Sequence, residues 1–303
     1  MRKIPIAFPY YTQDEAEMVS RCLKSGWVVQ GPMVAEFERK TAAYENVRYG
    51  IAVTSCTTAL HLLISALGIC EGQDVLVPSF TFVATANAVE YTGATAVLID
   101  VETETYCADV EKLQGFIEHN YRESRGKMFN TKNGNELSAL IAVHLFGICA
   151  NMPAINQLAQ KYNIRVIEDA ACALGASING THEGNFGNPS CLSFHARKSI
   201  TTGEGGMILT DDDILADKLR RLRSHGATIS EVARHNGSTG FLLPEYNELG
   251  FNYRMTDIQG AVGVSQVDKL DYIIQSRREQ AARYDKIFAE RFPFIRCPSV
   301  PNG

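Results

Sequence analysis

Two side chains in this sequence combine a reactive type with a suggestive setting, Lys198 and Asp169. The lysine closes Ser193-Phe-His-Ala-Arg-Lys198 and is followed by the glycine-rich Thr201-Thr-Gly-Glu-Gly-Gly206. The acid lies 29 residues earlier, in Val166-Ile-Glu-Asp169-Ala-Ala. A lysine amine on a tight loop can condense with an aldehyde, and an acid at a strand end can keep a pyridine nitrogen protonated. Pyridoxal phosphate asks for both. Taken singly, the two residues are weak signals, since an acid after a strand commonly caps a helix and most lysines are solvated.

Further groups fall at the same kind of position. Thr54-Ser55-Cys56-Thr57-Thr58 joins a short apolar run to a helical pattern, and amides and hydroxyls at a helix N-terminus make an anion site suited to a cofactor phosphate. Ser193 can donate to the same phosphate. Phe82, in Pro78-Ser-Phe-Thr-Phe82-Val-Ala-Thr-Ala-Asn87, follows another strand and can stack on a flat ring. No Gly-x-Gly-x-x-Gly follows the first strand, and Gly126-Lys127 lacks the upstream glycine of a Walker A motif, so dinucleotide and nucleotide-triphosphate sites are not indicated.

Positioning these groups requires a sheet whose strands end along one edge. Short apolar runs at 51–53, 74–77, 94–99, 139–143 and 165–167 alternate with 3.6-residue periodicity at 59–67, 83–90, 110–118 and 152–161. That alternation implies a mostly parallel sheet with helices on both faces, where ligands collect at the C-terminal strand ends. Two more strands, 191–194 and 206–209, are separated by only eleven residues. A parallel crossover needs more, so one of the pair is expected to run antiparallel in a mixed sheet of about seven strands. A polar helix is expected from 211 to 223, a loop over 226–248, and one nearly continuous helix from 255 to 292. The polar stretch 121–137 reads as a surface insertion. The expected domains are 1–253, a large cofactor-binding unit, and 254–303, the start of a small C-terminal one.

At 303 residues, 45% hydrophobic and 21% charged, the chain has the composition of a soluble globular protein. Its net charge of -5, without a Lys/Arg tract, argues against nucleic acid as a partner. No apolar run approaches the ~18 residues of a membrane span, and no signal peptide is evident. Eight cysteines without a CxxC spacing read as free, largely buried thiols in a reducing compartment, Cys70 and Cys191 among them, and no metal site is expected. The expected location is the cytoplasm.

In order along the chain, Ser25-Gly-Trp-Val-Val-Gln-Gly-Pro32, Gly72-Gln-Asp-Val-Leu-Val-Pro-Ser-Phe-Thr-Phe-Val-Ala-Thr-Ala-Asn87, Val143-His-Leu-Phe-Gly147, the segments around Asp169 and Lys198, and Gly250-Phe-Asn-Tyr-Arg-Met-Thr-Asp257 resemble the DegT/DnrJ/EryC1/StrS family of pyridoxal-phosphate sugar aminotransferases. The resemblance implies the aspartate-aminotransferase fold (fold type I), a homodimer with shared active sites, and transfer of an amino group, from glutamate by expectation, to a keto group of a nucleotide-linked sugar. It makes Lys198 the residue that anchors the cofactor and moves the proton, and Asp169 the partner of the pyridine nitrogen. Phe82 stacks on the ring, Ser55, Cys56, Thr57 and Ser193 hold the phosphate, and Asn252 reaches the phosphate in the neighbouring subunit. Two positions depart from the common pattern: Cys56 replaces a glycine, and Cys172 replaces the Gln or His that contacts the cofactor's phenolic oxygen. The family's small C-terminal domain is expected to be incomplete in this sequence. A pyridoxamine-phosphate deoxysugar dehydratase of the same family would carry His in place of Lys198, and a non-catalytic binding member is the remaining alternative. Trp27, His195, Arg254 and the 226–248 loop are candidates to line the substrate pocket, without assigned roles.

Overall fold

The structure, a computed structural model, describes residues 5, 7–228 and 245–300. Seven strands build the central sheet: β1 (Tyr49–Val53), β2 (Gln73–Pro78), β3 (Thr95–Ile99), β6 (Glu136–Val143), β7 (Arg165–Asp169), β10 (Ser190–Ser193) and β11 (Gly206–Thr210), in the spatial order β1-β11-β10-β7-β6-β2-β3. β11 pairs antiparallel with both β1 and β10, whereas the β10–β7, β7–β6, β6–β2 and β2–β3 pairs are parallel. Six strands therefore end on one edge, and β11 starts there. Twelve residues separate β10 from β11, and the reversal expected of so short a connection is present.

Successive residues alternate between two packed faces. Val75, Val77, Ile141 and Ile208 join one core with helices α3 (Cys56–Ala66), α4 (Ala84–Glu90) and α7 (Asp213–Arg223). Leu76, Leu140 and Ala142 face α5 (Val110–Asn120) and α6 (Met152–Tyr162) on the other side. Ala52, Leu192, Met207 and Leu209 share that side with α2 (Pro32–Tyr44). Burial on both faces explains why β6 reads as a continuous apolar run and not an alternating one.

Two segments differ from the sequence reading. The surface insertion at 121–137 carries strands that the sequence reading did not expect: β4 (Tyr121–Ser124) and β5 (Lys127–Asn130) form a hairpin joined to the start of β6. Its first residue, Tyr121, is fully buried and donates its hydroxyl to buried Asp74 at 2.8 Å, which fastens the hairpin to β2. The expected long helix is two, α8 (Asp257–Val267) and α9 (Leu270–Arg291), broken at Asp268-Lys269. β8 (Ser177–Ile178) and β9 (Thr181–His182) form a separate two-stranded ribbon.

α8 is tied to the N-terminal helices by α1 (Gln13–Ser25) and α2. α2 begins at Gly31-Pro32 with no side-chain cap of its own. Buried Asp257 supplies the cap from the far end of the sequence: Oδ1 accepts from the Gly31 and Val34 amides at 2.8 and 2.9 Å, and Oδ2 from Met33 at 3.1 Å. The helices also approach closely, because a Cβ on Gly260 would stand 2.7 Å from the Val34 nitrogen. Asp257→Ala is expected to lower stability by about 3 kcal/mol, since three amides lose a charged acceptor, and Asp257→Asn by less, since one oxygen remains. Urea unfolding midpoints of the three proteins check the order.

Candidate active site

The edge where six strands end and β11 begins carries the polar groups. Register fixes which of them are neighbours. Gly206 is opposite both Val53 and Ser193, and Asp169 is opposite both Val143 and Cys191. Ser55 follows Val53 by two residues and caps α3, accepting from the Thr58 amide at 3.2 Å, while the Thr58 hydroxyl accepts from the Ser55 amide. This box occupies Thr58 and leaves the first-turn amides of Cys56 and Thr57 without an acceptor among the described residues, directed outward as helix geometry requires.

Gly206 must be small for this arrangement. A Cβ there would lie 2.4 Å from the carbonyl carbon and oxygen of Ser55 and 2.5 Å from the Cys56 nitrogen. The reversed strand therefore presses its backbone against the start of α3. Ser193, across from Gly206, points its hydroxyl toward its own loop, where it accepts weakly from the His195 amide at 3.4 Å. Cys56 places its thiol 3.7 Å from the Cys191 carbonyl. Burial pushes that thiol well above its ordinary range, with Asp169 adding to the shift and Lys198 opposing it. It is a packing group, not a nucleophile.

Asp169 is buried at the end of β7. The Thr85 hydroxyl donates to Oδ2 at 2.8 Å and the Ala171 amide to Oδ1 at 3.2 Å. Burial raises its pKa; the two hydrogen bonds, then Lys198 and His144, work against the rise. A dry carboxylate with only two neutral donors favours a cationic N–H beside it.

Lys198 closes a turn, its amide donating to the His195 carbonyl at 2.9 Å. Its own carbonyl accepts from Arg277 Nη2, on α9, at 2.9 Å. Nζ reaches Cys172 Sγ at 3.0 Å, and Cys172 lies exposed in the turn three residues beyond Asp169. The amine, the thiol and the acid thus share one corner. Phe82 follows β2 and is 75% exposed, with its ring free to cover a flat ligand. Asn252 is exposed on the segment that runs beside β1, bridged to Ser224.

The residues present fit pyridoxal phosphate. The amides at the start of α3, held close by Gly206, suit a phosphate; the dry acid suits a pyridinium; the amine stands beyond the acid, where an aldehyde would be needed. Sequence reasoning missed Thr85 and His144, although both lie inside motifs quoted for the resemblance. It missed Arg277 entirely, because nothing local marks a helix arginine that reaches a carbonyl 79 positions away. Of the unassigned candidates, Arg254 donates to Ser224 Oγ at 3.2 Å, His195 stands 3.8 Å from Glu204, and the Trp27 indole covers Gly31. Residues 229–244 of the expected loop lie outside the described residues. All eight cysteines are free, and Cys70 is exposed where the apolar pattern suggested burial.

A family model for the DegT/DnrJ/EryC1/StrS aminotransferases matches residues 9–302. The chain belongs to this family. GDP-perosamine synthase of Escherichia coli O157:H7 is 37% identical over 287 residues, 94% of this chain and 71% of the relative. The spore coat polysaccharide biosynthesis protein SpsC of Bacillus subtilis is 35% identical over 297 residues, 98% of this chain and 72% of the relative. Among solved structures, a DegT/DnrJ/EryC1/StrS aminotransferase from Brucella abortus superposes with a TM-score of 0.83 at 32% identity, over 96% of this chain and 72% of that one. The aminotransferases of this family depend on pyridoxal phosphate, and the mixed sheet described above is their fold type I architecture.

If the start of α3 holds the phosphate, Gly206→Ala is expected to weaken binding of pyridoxal phosphate to the cofactor-free protein by at least about tenfold, because overpacking against backbone costs about 1–3 kcal/mol. Gly203→Ala, strained at φ +84° but facing open space, is expected to leave binding unchanged. Equilibrium titration of both variants checks the contrast.

Proposed function

We propose that this sugar aminotransferase moves an amino group, from glutamate by expectation, to a keto group of a nucleotide-linked sugar, using pyridoxal phosphate. The observation that carries the proposal is the corner formed by Lys198, Cys172 and buried Asp169, beside a helix N-terminus with open amides. The GDP-linked product named for the Escherichia coli relative supports a nucleotide sugar as the acceptor class.

Pyridoxal phosphate, when bound, supplies the electron sink that lets an amine lose its α-proton and change carrier. The chain's own residues do the rest. In this proposal Ser55, Cys56, Thr57 and Ser193 bind the phosphate, and Phe82 covers the ring. Asp169, oriented by Thr85 and Ala171, holds the proton on the ring nitrogen. Lys198 Nζ anchors the cofactor and afterwards carries the proton between donor or acceptor carbon and cofactor. Cys172 contacts the phenolic oxygen edge, a weaker donor than Gln or His would be.

A second copy of the chain is proposed to complete the site, with Asn252 reaching the phosphate held by its partner. Free thiols favour a cytoplasmic location; among the described residues no helix is long and apolar enough to cross a membrane. The domain division expected at 253/254 is proposed to fall within α9, because α8 packs into the large unit and α9 buries only Leu270 and Ile273.

Purified with pyridoxal phosphate, the chain is expected to show a visible absorbance band that glutamate bleaches, and borohydride reduction is expected to label Lys198, as read by peptide mass spectrometry. Lys198→Ala is expected to lose at least about a thousandfold in amination rate. A folded sample that takes up no cofactor, or a label on another lysine, would refute the assignment.

A further inference from the structure

Behind Asp169 the fold encloses three carboxyl groups that the transfer reaction does not use. Glu45, Glu168 and Glu183 are each 0% exposed. Glu45, at the C-terminal end of α2, accepts from the Gly175 amide at 2.7 Å and from His182 Nδ1 at 2.8 Å. Glu168 Oε2 accepts from His144 Nε2 at 2.8 Å and from the Gly184 amide at 3.2 Å. The Ala150 amide donates to His144 Nδ1 at 3.0 Å, so that nitrogen is bare and Nε2 carries the hydrogen. The ring and amide donors named here are then spent; the buried Ser190 hydroxyl, close to Gly184, has no partner among the described residues, and the Cys149 thiol is a weak donor. Glu168 Oε1 and both oxygens of Glu183 remain buried with no donor among the described residues.

Three ionised carboxylates cannot share a dry space with so few donors. Among the described residues no group of three or more His, Cys, Asp or Glu is arranged to hold a metal ion, so a cation does not resolve the conflict. A proton does. Glu183 and Glu45 are close enough to hydrogen-bond if one of them is an acid. Glu45 already accepts from two donors and Glu183 from none at its side chain, which assigns the proton to Glu183.

We infer that Glu183 is a neutral acid that donates to Glu45 and acts as a positioning residue for Asp169, through Glu168 and His144. The coupling runs along β7 and β6. His144 grips two consecutive residues of β7, its amide donating to the Asp169 carbonyl at 3.0 Å and its ring to Glu168. Ionising Glu183 would set a second negative charge against Glu168. Glu168 would then turn away from it and give up the bond from the His144 ring, which loosens the grip on Asp169. The groups facing Glu183 are Glu45, Glu168 and Cys149, with His182 and His144 one bond further; burial and these carboxyl groups push the Cys149 thiol to about 12. Burial first, then the charge of Glu45, holds the Glu183 carboxyl well above its ordinary range. Above that ordinary range the unfolded chain has released this proton and the folded chain keeps it. Stability therefore falls as pH rises, until Glu183 titrates in the fold. His182, raised chiefly by its hydrogen bond to Glu45, adds a fall of the same sign above its own unfolded value.

Infrared difference spectra of the full chain, with and without carbon-13 label at glutamate carboxyls, test the inference. At pH 7 one protonated glutamate carboxyl band is expected, present without cofactor and absent in Glu183→Gln. Nitrogen-15 shifts of the His144 ring are expected to move in the wild type as pH rises through the loss of that band, and to stay fixed in Glu183→Gln, whose amide keeps a donor for Glu45. Glu183→Ala is expected to weaken pyridoxal phosphate binding about tenfold or more while Glu183→Gln changes it less than about twofold, a tenfold change equalling one pKa unit of interaction. No protonated band in the wild type, as a buried water donating to an ionised Glu183 would give, overturns the inference even if the variants do not fold. A band that survives in Glu183→Gln overturns it too. The role given to Asp169 rests on the proposed function, but the infrared and ring-shift results do not. A chain that shows the band and binds no cofactor would sink that function and leave Glu183 protonated.

Discussion

A carboxylate taken out of water governs this structure. Asp169 ends a strand in the middle of the sheet, where helices pack apolar residues on both faces, and its charge is tolerable only while donors and a cation are held near it. The surrounding elements can be understood by what they bring. α4 brings the Thr85 hydroxyl, the turn after β7 brings the Ala171 amide, and the loop before β11 brings the Lys198 amine into the same corner. The burial that makes Asp169 costly would also make it useful in the proposed role, because a hydrogen bond from a cationic ring is strongest where water is excluded.

The reversal of β11 is the second requirement, and it follows from chain length. Twelve residues without a helix do not cross the sheet and return in parallel, so the chain doubles back and brings its glycines to the edge where the other strands end. Gly206 then fits against the start of α3 with no room for a side chain. The lysine loop and the start of α3 are thereby one packed unit, which fixes the distance between the two ends of any ligand that spans them.

Much of this was legible in the sequence, because strand–helix alternation, a short gap and glycine-rich turns are local signals. Lys198, Asp169 and the Ser55-Cys56-Thr57 turn stand on strand ends as their motifs implied. The break between α8 and α9 was not legible, since Asp268-Lys269 contains neither Pro nor Gly and continues a helical pattern. The β4–β5 hairpin was hidden by its polar outer residues, and the bonds from Tyr121, Asn130 and Asn135 to buried Asp74 show why it folds. Thr85, His144 and Arg277 escaped for a common reason. Their roles depend on hydrogen bonds between distant segments, and a threonine, a histidine or a helix arginine carries no mark of such a partner.

Arg277 has a mechanical consequence. Its guanidinium holds the carbonyl of the very residue proposed to anchor the cofactor, and it projects from a helix that buries only Leu270 and Ile273. A displacement of α9 would therefore be felt at the Lys198 backbone directly, without any strand of the sheet having to move.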